Sequence, residues 1–165
     1  MIIQVEPVID YSVRKLCIKP YPRHPKGCPN FNKRDTCPPK VLYYDKVYDL
    51  TKPVYAIFNV FNFKEHIDKM KLKHPTWSDA QLKCVLYWQG SARKKLKEYI
   101  VEFLKQNKRF KVENCPEAMG VNITETMKNV GIVLEWPPEN LTYQVALAGI
   151  PLKGVINKEA SPCLI

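Results

Sequence analysis

Pro53-Val54-Tyr55-Ala56-Ile57-Phe58-Asn59-Val60-Phe61 is the run that decides the fold class. It is apolar on both alternating faces and rich in β-branched and aromatic side chains. A strand with one wet face alternates apolar and polar residues, so this run predicts a strand buried on both sides, in a sheet covered by helices. The residues around it supply those helices. Phe63–Lys73 has helical character and stops two residues short of Pro75. Ser78-Asp79-Ala80-Gln81 carries a capping-box pattern, a Ser N-cap with Gln three residues on. From there Leu82, Val85, Leu86, Ala92, Leu96, Tyr99, Ile100 and Phe103 recur at helical spacing, predicting one helix to about Asn107. Gly90 weakens that helix or permits close packing against it.

Residues 109–113, 132–136 and 143–147 read as further short strands, and residues 41–50 as a short helix. Asn122 with Glu125 marks another helix N-cap, for a helix ended by Gly131. The expected architecture is α/β or α+β, a small mixed sheet flanked by helices, with a cysteine- and proline-rich metal-binding loop at one edge. A length of 165 residues suits a single domain. Within it we expect a loop over residues 11–40, a core over 41–150 and a tail over 151–165.

At 45% apolar and 25% charged residues, the chain has material for a true hydrophobic core, which argues against a disulfide scaffold despite six cysteines. Met1 to Pro7 lacks the basic segment and apolar run of a signal peptide. No stretch approaches the roughly 18 apolar residues of a membrane span. A cytoplasmic protein with reduced thiols is expected, and there clustered cysteines are more often metal ligands than disulfides. Cys163 lies third from the end, one place off the position of a prenylated cysteine.

The net charge is +10 and unevenly spread. Arg14, Lys15, Lys19, Arg23, Lys26, Lys33, Arg34 and Lys40 face a single acid, Asp35, whereas acids outnumber bases from Val112 onward. The basic segment surrounds Cys17, Cys28 and Cys37. It either attracts a polyanion such as nucleic acid or a phosphorylated substrate, or offsets the negative charge of gathered thiolates.

Residues 11–40 hold Pro20, Pro22, Pro25, Pro29, Pro38 and Pro39, which prevent a regular helix or central strand. A segment so long and irregular within a compact domain usually has a binding role, and a bound metal supplies ordering energy that its few large apolar side chains do not. Cys17, Cys28 and Cys37 are separated by ten and eight residues, unlike the paired knuckles of zinc fingers or the short steps of bacterial ferredoxins. Spacing alone is therefore a weak signal. Cys28, Cys37 and Cys115 are each followed directly by proline, which chance would produce about one time in a hundred at this composition. Proline fixes φ and stiffens the chain beside each thiolate. The plainer alternative is that these are buried thiols acting as small apolar groups.

Cys28-Pro29-Asn30-Phe31, Cys37-Pro38-Pro39 and Pro116-Glu117-Ala118-Met119-Gly120-Val121, with Thr124, Lys128, Asn129 and Gly131, together resemble an uncharacterised family of cysteine-rich predicted metal-binding proteins. Its members carry C…CPNYG…CPP early and PEALGVD…T.K..G late. The resemblance spans the cysteine loop and the last third of the chain. It implies a metal, with a [4Fe–4S] cluster first, on Cys17, Cys28, Cys37 and Cys115. Asn32 stands where the family has glycine, and the family's extra central cysteines are missing, so no second centre is expected.

Two functions follow as expectations. One is an iron–sulfur protein acting on or near an anionic substrate, a nucleotide or nucleic acid among them. With three ligands one iron stays open to substrate; with Cys17 as a fourth the site is closed. The other is a non-enzymatic nucleic-acid-binding module with a structural zinc. Arg23, His24 and Lys26 are secondary candidates beside the cysteines, His24 as acid, base, ligand or plain surface residue. Cys84 is a further candidate, off the apolar stripe of its helix, either as a ligand, as a thiolate lowered by neighbouring lysines or as a packed side chain. No phosphate-binding glycine loop or serine elbow is present.

Overall fold

The double-sided apolar run forms strand β2, Val54–Asn62. In the computed structural model, which describes residues 1–20 and 24–154, three further strands join it. They are β1 (Ile2–Val5), β3 (Lys111–Glu113) and β4 (Leu141–Gly149), giving the sheet order β1-β2-β4-β3. The sheet with its helices is the expected mixture of the two structure types, and all three strand pairings are antiparallel.

Both faces of the sheet are covered, as the run requires. Val54, Ala56 and Phe58 point with Val5 and Leu147 into a cluster that includes Tyr44, Val47, Tyr48, Met119, Val121 and Met127. Tyr55 and Ile57 point the other way, where Ala146 and Ala148 of β4 let Leu96, Tyr99 and Phe103 pack closely. Those three belong to helix α3 (Gln89–Gln106), so the sheet lies between α3 on one side and a layer of short helices on the other. Each fully buried Leu or Phe contributes about 1.5–3 kcal/mol, so two covered faces supply most of the driving force.

Helix α1 spans Phe63–Lys73, capped by the Asn62 side chain accepting from the Glu65 amide at 3.0 Å. The Ser78 capping box is real, with the Ser78 N–H donating to the Gln81 side chain at 2.9 Å. Yet helix α2 (Asp79–Leu82) lasts one turn, and a 3-10 turn at Val85–Tyr87 separates it from α3. The single long helix predicted over 78–107 is thus broken. Across the break Val85 and Leu86, read as part of the buried stripe, stay 45% and 84% exposed, while Trp88 buries against Phe61 and Phe63.

Helix α4 (Ile123–Lys128) starts at Asn122, whose side chain accepts from the Glu125 amide at 3.1 Å. Residues 132–136 form no strand; the Glu135 carboxylate instead accepts from the amides of Glu139, Asn140 and Leu141 and closes a turn before β4. Residues 41–50 yield only a short 3-10 helix, Tyr44–Lys46. Ahead of the first loop proline, Tyr11–Ile18 forms a 3-10 helix capped by Asp10, which accepts from the Ser12 amide at 2.9 Å.

Candidate functional site

Two joints fix the ends of the cysteine loop. At its start, Tyr11 stacks on Tyr43 at 4.0 Å and donates from its hydroxyl to Asp45 at 2.7 Å. Arg14 donates to the Val41 carbonyl at 2.8 Å and lies over the Tyr43 ring, 4.4 Å from its centroid. These contacts tie the entry of the loop to its exit, so the intervening residues form a closed excursion.

Inside the loop, Cys17 and Cys28 are brought together by backbone. The Cys28 N–H donates to the Cys17 carbonyl at 2.8 Å. Gly27 precedes it with φ +79°, and a Cβ there would fall 2.7 Å from the Cys17 carbonyl oxygen and 2.8 Å from the Ile18 backbone. Only glycine permits both the left-handed backbone and so close an approach. Farther on, the Asn32 N–H donates to the Pro38 carbonyl at 2.8 Å and Cys37 N–H to Arg34 at 3.0 Å. Asn32 has φ 57°, the region where asparagine is the commonest substitute for glycine, which explains how it stands at that place in the motif. Cys37 is 2% exposed.

Cys115 caps the 3-10 helix Pro116–Met119, its carbonyl accepting from the Ala118 N–H at 3.0 Å. That helix packs against Tyr11–Ile18. The Asp10 N–H donates to the Gly120 carbonyl at 2.8 Å, and Gly120, with φ 81°, leaves room for Tyr43 and Tyr11, whose rings would come within 3.0 and 3.1 Å of a Cβ. The Asn122 N–H donates to the Val8 carbonyl, and Thr126 accepts from the Val8 N–H at 3.0 Å. The fold thus docks the segment bearing Cys115 onto the one bearing Cys17.

The thiols themselves do not form a ligand set as they stand. Among the described residues no group of three or more His, Cys, Asp or Glu side chains is placed to hold a metal ion, and Cys17, Cys28, Cys37, Cys84 and Cys115 form no disulfide. The main chain joins Cys17 to Cys28 and the packing of two helices adds Cys115. Cys84 is placed elsewhere, before the Val85–Tyr87 turn on the α3 side of the sheet, and does not join the others. His24 and Lys26 border an open depression of about 430 Å³, together with Cys28, Pro29, Phe31 and Lys33. Arg23 and Cys163 lie outside the described residues.

A polar cluster near Cys115 was not anticipated. The Tyr48 hydroxyl donates to Glu113 at 2.6 Å, and Tyr44 stacks on Tyr48 at 4.5 Å. Burial raises the Glu113 carboxyl above its ordinary pKa, against the lowering effect of the Tyr48 bond. Burial also raises the Tyr44 phenol, whose hydroxyl has no hydrogen-bond partner among the described residues. Gly149 makes this possible, since a Cβ there would fall 2.7 Å from the Tyr44 hydroxyl. The sequence reads residues 41–50 as a short helix but carries no trace of the partner that Tyr48 finds on β3.

No family model, no curated protein and no solved structure matches this chain. The motif resemblance therefore rests on the quoted residues alone.

Proposed function

We propose that this chain is a metal-binding protein with Cys17, Cys28, Cys37 and Cys115 as ligands, a [4Fe–4S] cluster as the group held, and an anionic substrate, a nucleotide or nucleic acid, drawn to it. The observation that carries this reading is the Cys28 to Cys17 backbone bond, with Gly27 packed onto the same carbonyl. Two cysteines eleven residues apart are held as neighbours in a loop with few apolar side chains to explain the closure. The packing of the Pro116–Met119 helix on Tyr11–Ile18 supports the inclusion of Cys115.

An all-thiolate donor set favours iron–sulfur or zinc over hard cations. Binding has to draw the four thiols together, and metal–thiolate bonds offset the cost of ordering them. When bound, such a cluster supplies an electron relay or, with one iron open, a Lewis acid. Lys26 and Lys33 border the depression at Cys28 and hold an anion there through charge-assisted hydrogen bonds.

Single Cys→Ser variants, reconstituted without oxygen and assayed for iron and sulfide, test the assignment. Loss of the cluster in C28S, C37S and C115S is expected, and C17S separates four ligands from three. Retention of a full complement in C28S or C115S overturns it. The net charge of +10 favours, as a second reading, a nucleic-acid-binding module with structural zinc. That form is colourless and contains zinc without sulfide.

A further inference from the structure

On the α3 side of the sheet, away from the cysteine loop, three rings form a ladder at the surface. His74 stacks on Trp77 with centroids 4.0 Å apart and planes 7° apart, and Trp77 meets Tyr87 at 4.8 Å and 30°. None of the three is buried, and Tyr87 is 52% exposed. Leu72 and Leu86 beside them are each 84% exposed. The core has no use for these side chains: the buried face here is built from Phe63, Trp88 and Ala92.

The charge along the chain on either side of the ladder is one-sided. Residues 63–97 hold nine lysines and arginines against three acids. Lys69 is paired with Glu65 and Lys95 with Glu98, whereas exposed Lys71, Lys73 and Lys83 have no ion-pair partner among the described residues. Such an excess of positive charge opposes docking of a second copy of this chain. A neutral apolar partner would strand the lysines under an interface. With His74 and Trp77 face to face and Tyr87 tilted onto Trp77 at the exposed end, the ladder extends naturally by one more flat ring.

We propose that this surface binds single-stranded nucleic acid, with a base stacking on Tyr87 at the end of the ladder and Lys71, Lys73 and Lys83 contacting phosphates. Single strands are selected because a duplex keeps its base faces covered, while stacking on aromatic side chains is tolerant of sequence. The surface is separate from Cys17, Cys28, Cys37 and Cys115, so its activity stands whether or not a metal is bound there.

Fluorescence anisotropy with labelled oligo-U and oligo-dT of about 20 nucleotides, longer than a single binding fold covers, tests this on the full chain. Tyr87→Ala is expected to weaken binding by about 5- to 150-fold, the range for loss of one stacked base, and Tyr87→Phe to restore it. Lys71→Glu with Lys73→Glu should lower the slope of log affinity against log salt by about 1.4, two phosphate contacts on a single strand. Circular dichroism melting shows that each variant is folded, and Leu86→Ala serves if Tyr87→Ala is not. Absence of salt-dependent binding to single strands overturns the proposal. So does equal affinity of the Tyr87→Ala protein and the unaltered one, which leaves charge alone. Duplex bound as tightly as single strand, or capture instead of acidic peptides or phosphatidylserine vesicles, also overturns it.

Discussion

Replacing Gly27 by alanine tests whether Cys17 and Cys28 are held together as described. The substitution brings two separate costs. The left-handed backbone, φ +79°, costs an L-residue about 1–2 kcal/mol. The new Cβ, 2.7 Å from the Cys17 carbonyl oxygen and 2.8 Å from Ile18 backbone atoms, also has to push the two segments apart. Those neighbours are backbone and cannot swing aside, so the Cys28 to Cys17 hydrogen bond is lost, adding about 0.5–1.5 kcal/mol. The total is about 1.5–3.5 kcal/mol. Gly131 provides the control, because it has the same φ of +79° with nothing within 4 Å of a Cβ. Gly131→Ala carries the backbone cost alone. Hydrogen exchange reads the loop directly: in Gly27→Ala the Cys28 amide should exchange about 10- to 400-fold faster, the same energy expressed as a ratio. Amides of β2 should change less. Unchanged Cys28 exchange, or equal urea stabilities for the two alanine variants, would refute the packing of this loop.

Other perturbations test other joints. Glu113 has a folded pKa raised by burial, so its protonated form is favoured in the native state. Stability is then lost as pH rises from the ordinary carboxylate value toward the raised one, and Glu113→Gln should remove that component; urea midpoints of both proteins between pH 4.5 and pH 8 that run parallel would contradict it. Tyr44→Phe removes a buried hydroxyl without a hydrogen-bond partner among the described residues and should stabilise the protein by about 1–2 kcal/mol in urea unfolding; a loss of stability would mean the hydroxyl is satisfied. Asn32→Gly should be neutral or slightly stabilising, whereas Asn32→Val at φ 57° should cost about 1–2 kcal/mol, and equal melting of the two would place Asn32 in ordinary backbone.

The parts of the fold legible in the sequence are those where one pattern has one cause. The apolar run over Val54–Asn62 is a strand covered on both sides, and Asn62 and Asn122 cap helices through their own side chains. Where two patterns compete, the reading fails. Helical spacing carries on through Lys83 to Trp88, but the chain breaks there, leaving Val85 and Leu86 exposed while Trp88 packs with Phe61 and Phe63. Residues 132–136 look like a strand, yet the Glu135 carboxylate is spent on three amides of the following turn. β1 was not foreseen because a four-residue edge strand carries too little pattern to stand out. In the candidate site, the Cys-Pro steps draw attention to the loop, and the role of Gly27 becomes visible only when its distance to Cys17 is known. The joining of Cys115 to this region depends on the Asp10 to Gly120 and Asn122 to Val8 bonds, which no local spacing encodes.

Metal and sulfide analysis of the unaltered protein, purified without oxygen, addresses the central claim most directly. The account predicts brown protein with iron and acid-labile sulfide in about equal amounts and broad absorbance near about 400 nm. Colourless, metal-free protein whose cysteines all react with a thiol reagent while it stays folded would contradict it.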